Sequence, residues 1–191
     1  MQKTIRTFIA VPIPNAVAVF LQQVQSQLQL AAMDIRWVAT QNIHLTLNFL
    51  GDIDPKRVPA VAAKLDSAAA AIAPFEIKAS GVGVFPNLRH ARVLWVGLAG
   101  EIEPLKALQA TLESSLNSVA CKREPRDFRA HLTIGRTRRR MDVQTLGAAL
   151  ESMRAARSDS FRVDRLTLFQ SKLKSAGAEY IPLHTSRLSD A

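Results

Sequence analysis

The chain carries one four-residue pattern twice, and this repeat constrains the fold more than any other feature of the sequence. The first copy is His44-Leu-Thr-Leu47 and the second, 87 positions later, is His131-Leu-Thr-Ile134. Together they hold two of the four histidines in the chain. In both copies polar and apolar residues alternate, which is typical of a half-buried β-strand. The repeat therefore predicts two halves of similar plan, each supplying one strand with a His-x-Thr motif.

The rest of the sequence predicts strands and helices that alternate irregularly. Apolar and β-branched runs predict strands over residues 5–11, 35–38, 43–49, 75–84, 92–98, 128–135, 161–169 and 179–183. Apolar residues at helical spacing predict helices from residue 15 and over 54–72, 104–119 and 142–156, with Asn15 and Asp54 as caps of the first two. Short hairpin-like connections without regular βαβ spacing favour an α+β fold over a doubly wound parallel sheet. We expect one domain over residues 1–191.

Strand alternation gathers the polar residues of the first motif on one face. His44, Thr46 and Asn48 point one way because successive side chains of a strand point to opposite faces. The other face, which includes Phe49, is predicted to be core. The motif strand therefore offers an imidazole and a hydroxyl to a common surface.

The second motif repeats this arrangement. His131 and Thr133 share a face, so two His-Thr pairs line one cleft if the two halves face each other. Strict alternation places Arg136 on the opposite face. The strand must end, twist or bulge around Gly135 if Arg136 is to reach the cleft.

Two His-Thr pairs suit an in-line displacement at phosphorus. One neutral imidazole takes a proton from the attacking water, the other donates a proton to the departing oxygen, and the hydroxyls hold the non-bridging oxygens. Residue chemistry alone does not decide which histidine does which. The sequence has neither a His-Glu-x-x-His pattern nor paired cysteines or carboxylates beside the motifs, so we expect a reaction without metal or cofactor.

Composition favours an anionic partner without identifying one. The formal net charge is +9 and the sequence pI is about 10.4, which fits nucleic acid binding and equally fits a generally basic surface. Arg136, Arg138, Arg139 and Arg140 form the densest basic run, which can contact RNA or be a solvated loop. The single cysteine and the absence of an apolar run long enough to cross a bilayer predict a cytoplasmic protein without membrane association.

The sequence resembles the 2H phosphoesterase superfamily, named for two His-x-Thr-x motifs, and within it the bacterial RNA 2′,3′-cyclic phosphodiesterases, also called 2′-5′ RNA ligases. The resemblance extends over nearly the whole chain. Besides the two motifs it includes Arg6-Thr-Phe-Ile-Ala-Val11, Gly83-Val-Phe-Pro-Asn87, Arg92-Val-Leu-Trp95 and Leu166-Thr-Leu-Phe-Gln-Ser171. Ala130 and Gly135 depart from the family, in which proline often precedes the second histidine and a bulkier residue often occupies the position of Gly135.

The resemblance implies a bilobed fold in which two pseudo-twofold related lobes, with antiparallel sheets flanked by helices, enclose a central cleft. It also implies hydrolysis of an RNA 2′,3′-cyclic phosphate end to a 2′-phosphomonoester without metal. His44 is then the proton donor to the O3′ leaving group and His131 the proton acceptor that activates water. Thr46, Thr133 and Arg136 bind the phosphate. RNA with a cyclic phosphate end is the expected partner, and no obligate protein partner is expected.

Two other functions fit the same residues. A related enzyme could act on a small cyclic phosphate or a 2′-5′ linked oligonucleotide, and the same chemistry in reverse joins a cyclic phosphate end to a 5′-hydroxyl. A module that binds RNA without chemistry would tolerate replacement of both motif histidines. Phe49, Phe85 and Trp95 can stack on a base or pack in the core, and strand alternation favours the core for Phe49. Arg129 can contact the RNA backbone or solvent.

Overall fold

The computed structural model describes residues 4–116, 127–174 and 177–189. These residues form nine strands and four α-helices. The strands are β1 (Ile5–Pro12), β2 (Ile35–Trp37), β3 (His44–Ile53), β4 (Phe75–Phe85), β5 (Val93–Gly100), β6 (Leu132–Thr137), β7 (Phe161–Val163), β8 (Arg165–Lys174) and β9 (Gly177–Arg187). The helices are α1 (Asn15–Gln29), α2 (Val58–Ala69), α3 (Ile102–Leu116) and α4 (Val143–Ser152). Within these ranges we find no helix with the length and apolarity to cross a membrane.

One antiparallel sheet runs through the protein in the order β7-β4-β5-β6-β3-β1-β8-β9, and β2 pairs with β6. The two motif strands, β3 and β6, are neighbours at its centre and share a single register pair, Leu45 with Leu132. On one side β3 continues into β1, β8 and β9, and on the other β6 continues into β5, β4 and β7. The sheet therefore divides into two halves that each begin with a motif strand, and the predicted α+β fold is confirmed.

Helices cover both halves of the sheet. α2 and α3 pack on each other, α2 contacts β8 and β9, and α3 contacts β3. α1 reaches the other half, where the buried Gln25 amide donates hydrogen bonds of 2.8 Å to the carbonyls of Val38 and Ile134. The apolar faces are fully buried, with Leu21 of α1 and Leu108 of α3 at 0% exposure. Each such side chain contributes about 1.5–3 kcal/mol by leaving water.

The predicted helix starts hold only in part. Asn15 is the first residue of α1 and Pro14 is its N-cap, without a side-chain cap bond, so the predicted Asn15 cap is wrong. Asp54 does accept a hydrogen bond from the Lys56 amide at 2.9 Å. The turn that it caps is a 3-10 turn, and the α-helix begins only at Val58.

Strand positions follow the prediction more closely than strand ends. The hairpin of β4 and β5 is present. The second motif strand begins at Leu132 rather than near residue 128, so His131 lies just before it. The strand predicted over residues 161–169 is two strands, β7 and β8. The predicted end of α3, at residues 117–119, lies outside the described residues.

Candidate active site

The first motif faces its neighbour β1 with the predicted alternation at its start. His44 is the register partner of Pro12 and Thr46 is the partner of Ala10. The Phe8 ring stacks on the His44 imidazole, with 4.6 Å between centroids and 26° between planes. His44 and Thr46 are half-buried, whereas Leu45 between them is fully buried on the opposite face.

The second motif has the equivalent relationship to β5. Thr133 is the register partner of Trp95, whose indole lies against Gly83 on β4, where a Cβ atom would collide with the ring. Phe85, at the end of β4, meets the His131 imidazole edge-on, with 5.0 Å between centroids and 86° between planes. Phe85 and Trp95 thus support the second motif, and Phe85 contacts its histidine directly.

The central register pair brings the two motifs together. Leu45 and Leu132 are antiparallel partners, so counting outward places His44 next to Thr133 and Thr46 next to His131. These four residues all share the face opposite the two leucines. Among the described residues neither threonine hydroxyl has a hydrogen-bond partner within 3.5 Å, which leaves both available to a ligand.

Both motif histidines are held by the same backbone contact. The Nδ1 atom of His44 lies 2.8 Å from the carbonyl oxygen of Asn42, and Nδ1 of His131 lies 2.6 Å from the carbonyl oxygen of Arg129. Because a carbonyl only accepts, each Nδ1 carries a proton and donates it. In both rings Nε2 is therefore the atom that can take up or release a proton.

A bulge in β6 turns Arg136 toward the cleft. Trp95 is paired with Thr133, but Leu94 is paired with Gly135, so Ile134 is the extra residue. Arg136 then pairs with Val93 and has the same parity as Thr133. Gly135 takes the core side, where a Cβ atom would lie 2.7 Å from Ile35 Cγ2. The bulge thus places Arg136 on the face of Thr133, where strict alternation would not place it.

A second bulge overturns two assignments made from strand alternation. Leu47 is one of two extra residues in β3, so Asn48 pairs with Ile9 and Phe49 pairs with Phe8. The prediction that Asn48 shares the face of His44 is therefore wrong, and its Oδ1 is buried without a hydrogen-bond partner among the described residues. The prediction that Phe49 is core is also wrong.

Phe49 instead belongs to the exposed rim of the cleft. Its side chain is 38% exposed, and the Arg6 guanidinium lies 4.9 Å from its ring centroid. On the second half, the Arg129 guanidinium lies 6.0 Å from the centroid of Phe85. Each half of the sheet therefore presents a cation over an aromatic ring, on the motif strand β3 in one half and beside His131 in the other.

The remaining arginines of the basic run follow β6 and are exposed. The backbone amide of Arg138 donates to the carbonyl of Asp34, and the Arg139 guanidinium lies 4.0 Å from the Asp34 carboxylate. Arg140 is also exposed. The structure brings Arg136 to the motif face and leaves the other three on the loop beyond it.

Burial distinguishes His44 from an ordinary histidine. Burial lowers the pKa of the imidazole, and the hydrogen bond to the Asn42 carbonyl acts in the opposite direction with a smaller effect.

Tyr180, on β9, packs edge-on against His44 with 5.0 Å between centroids. Burial raises the pKa of Tyr180, while the positive charges of Arg136 and Arg6 act to lower it. Sequence analysis did not select Tyr180, because it lies 136 positions after His44 and in no motif.

In the described ranges we find no cluster of three or more histidine, cysteine, aspartate or glutamate side chains suited to a metal ion.

The family model described as LigT like phosphoesterase matches residues 11–95 and again residues 96–180. The chain belongs to this family. The two matches divide this LigT-like phosphoesterase into consecutive repeats, each of which contains one His-x-Thr motif.

Curated relatives cover almost the whole LigT-like chain. It is 29% identical over 184 residues to the RNA 2′,3′-cyclic phosphodiesterase of Methanothermobacter thermautotrophicus, with 96% of this chain and 99% of the relative covered. It is 30% identical over 181 residues to the protein of the same name from Aquifex aeolicus, with 93% and 94% covered.

Solved structures share the fold. A crystal structure of a Thermus thermophilus protein matches with a TM-score of 0.80 at 24% identity, covering 96% of this chain and 97% of that one. Escherichia coli LigT in its apo form matches with a TM-score of 0.78 at 21% identity, covering 98% and 99%. The bilobed architecture expected from the sequence is therefore that of the family.

Proposed function

We propose that this LigT-like phosphoesterase hydrolyses RNA 2′,3′-cyclic phosphate ends to 2′-phosphomonoesters. The observation that carries the proposal is the pair of imidazoles, each tied through Nδ1 to a backbone carbonyl, on adjacent strands of one face. The curated relatives that cover nearly the full chain carry the name of this activity. We further propose that the protein acts in the cytoplasm as a single bilobed domain without an obligate protein partner.

In the proposed reaction His131 is the base and His44 is the acid. Nε2 of His131 takes a proton from water as the water oxygen forms a bond to phosphorus. The bond between phosphorus and O3′ breaks, and Nε2 of His44 gives its proton to O3′, which becomes a hydroxyl. The phosphate stays on O2′. Each transfer contributes about 10²- to 10⁴-fold in rate, and the histidines return to their starting states by exchanging protons with solvent.

Thr46, Thr133 and Arg136 bind the non-bridging oxygens in this scheme. The two hydroxyls lie beside the opposing histidines and are free to donate. Arg136 adds a charged donor on the same face, and charge-assisted hydrogen bonds to phosphate are about twice as strong as neutral ones. These three donors oppose the charge that grows on the oxygens as water attacks.

Burial lowers the pKa of His44, the proposed acid, and so opposes the protonated form that the reaction requires. A bound phosphodiester is an anion, and a nearby negative charge favours the protonated form of histidine. Substrate binding therefore shifts His44 toward its protonated form at the step that requires its proton.

The rim of the cleft favours RNA over a small cyclic phosphate. Cations over aromatic rings flank both motifs, at Arg6 with Phe49 and at Arg129 with Phe85. Phosphates and stacked bases bind such pairs with little sequence preference. A cyclic mononucleotide can fill the phosphate site but reaches only part of this surface.

The test is hydrolysis, in EDTA, of a short RNA with a 2′,3′-cyclic phosphate end beside the matching cyclic mononucleotide. We expect a 2′-phosphate product from both and a higher kcat/KM for the RNA. Equal kcat/KM values would favour the small-substrate enzyme. Binding of RNA without any product would favour the non-catalytic module.

A further inference from the structure

The last strand of the sheet begins beside the first motif histidine. Tyr180 of β9 is the register partner of Ser171 on β8, which gives it the same face as Phe169. Its ring meets the His44 imidazole with 5.0 Å between centroids and 88° between planes. It meets the Phe8 ring at the same distance and 79°. The tyrosine thus stands across the stacked pair of Phe8 and His44.

A second contact joins the same strand to the same histidine. The Asn42 side-chain amide donates a 2.8 Å hydrogen bond to the carbonyl of Ala178, two residues before Tyr180. The backbone carbonyl of Asn42 accepts the Nδ1–H of His44. One residue therefore anchors both the start of β9 and the imidazole, and the relative position of Tyr180 and His44 is fixed from both sides.

The second half of the sheet has no equivalent of this arrangement among the described residues. β7 occupies the place of β9 at the opposite edge, but it has only 3 residues where β9 has 11. β7 pairs with β4 at Phe75–Ile77, and the Phe85 that contacts His131 is at the other end of β4. Despite the repeated motif, His44 alone is enclosed by an aromatic ring from the outermost strand.

We propose that Tyr180 is a positioning residue for His44. The Tyr180 ring, held in place by the contacts of Asn42, keeps the His44 imidazole oriented with Nε2 toward the cleft. The inference rests on the proposed function, in which His44 supplies the proton to O3′. The stacked Phe8, the edge of Tyr180 and the Nδ1 hydrogen bond together leave the imidazole one orientation. The aromatic ring of Tyr180 orients the imidazole, and the hydroxyl of Tyr180 is not needed for this role. The lowered pKa of His44 is consistent with such an enclosure.

The test compares Tyr180→Leu, which removes the ring, with Tyr180→Phe, which removes only the hydroxyl. We expect Tyr180→Leu to lower kcat about 10- to 100-fold, since small misplacements of a catalytic group cost this much. One ionisation of its pH–rate profile should move to higher pH, because solvent then reaches His44. Tyr180→Phe should keep kcat within about threefold and leave the profile unchanged. Phe20→Leu, at a half-buried ring on α1 that contacts neither histidine, is the control for lost packing.

Other charged groups are constant in this comparison. Arg6 from β1 and Arg136 from β6 face the enclosure and are present in every variant, as is His131 of the second motif. A shift of one ionisation in the profile therefore reports the removal of the ring. If Tyr180→Leu keeps the parent kcat and profile, or if Tyr180→Phe is as impaired as Tyr180→Leu, the proposal is wrong.

A measurement without substrate separates this proposal from the proposed function. The NMR titration of the His44 imidazole in the parent, Tyr180→Leu and Asn42→Ala proteins requires no turnover. We expect both substitutions to raise the pKa of His44 and the control to leave it unchanged. An unchanged titration overturns the positioning role even if the parent is active. An inactive parent with the expected titration would overturn the proposed function alone.

Discussion

Leu45 and Leu132 form the one register pair that joins the two halves of the sheet in the described part of the chain, and both are fully buried. Each stands between the histidine and the threonine of a motif. The same pairing that closes the core on one face therefore sets the spacing of the four motif side chains on the other. The active face is assembled by the contact that joins the two halves of the sheet.

This relationship predicts that Leu45→Ala destabilises the fold by about 2–5 kcal/mol, because it opens a cavity at the junction. Chemical denaturation followed by circular dichroism measures the change. Leu173→Ala is the control, since that leucine is 76% exposed, and it should change stability by less than about 0.5 kcal/mol. Equal effects of the two substitutions would contradict the central position of the pair.

Gln25→Leu should lower stability by about 1–3 kcal/mol, because it removes the donor to two carbonyls in the core. One of these carbonyls belongs to Ile134, the extra residue of the β6 bulge, so the substitution should also raise KM. Steady-state kinetics and denaturation measure the two effects. Gln22→Leu, on the exposed side of the same helix, should show neither, and parent-like behaviour of Gln25→Leu would exclude a role in supporting the bulge.

Arg136→Ala should lower kcat/KM about 100-fold without loss of stability, because the bulge brings an otherwise exposed guanidinium to the phosphate side. Arg136→Lys should recover only part of the loss, since an ammonium cannot make the paired contacts of a guanidinium. The matched control is Arg140→Ala, in the same basic run. If the two alanine variants lose activity equally, the basic run acts only through its total positive charge, and a specific phosphate contact by Arg136 is contradicted.

The pH dependence of kcat/KM should be bell-shaped, because one histidine must be neutral and the other protonated in the same molecule. The rate rises as the base loses its proton and falls as the acid loses its own. Burial lowers the pKa of His44, so one of the two ionisations should lie at lower pH than that of an exposed histidine. Initial rates across the pH range measure the profile. A rate that keeps rising into the alkaline range would contradict His44 as the acid.

The sequence carried the parts of the site that depend on local pattern. His44 with Thr46, and His131 with Thr133, follow from alternation within one short strand, and the repeat itself predicted two halves. The placement of both motifs on one face at the centre of the sheet required only that the two motif strands pair with each other. These features are encoded within a few residues of each other.

The parts that were wrong or missing depend on partners distant in sequence. Asn48 and Phe49 exchanged faces because the extra residue Leu47 in β3 is visible only when β1 is paired beside it. Tyr180 reaches His44 only because β9 is the outermost strand of that half. No pattern within β3 or β9 alone contains this information, since it arises from long-range pairing and register.

The most direct test of the paired-histidine mechanism is formation of a 2′-phosphate end from a cyclic-phosphate RNA, in EDTA, by the parent and by single alanine variants. We expect His44→Ala and His131→Ala each to lose at least about 100-fold in rate, while His90→Ala, at an exposed histidine outside the motifs, keeps the parent rate. Parent-like rates in either motif variant would contradict the mechanism.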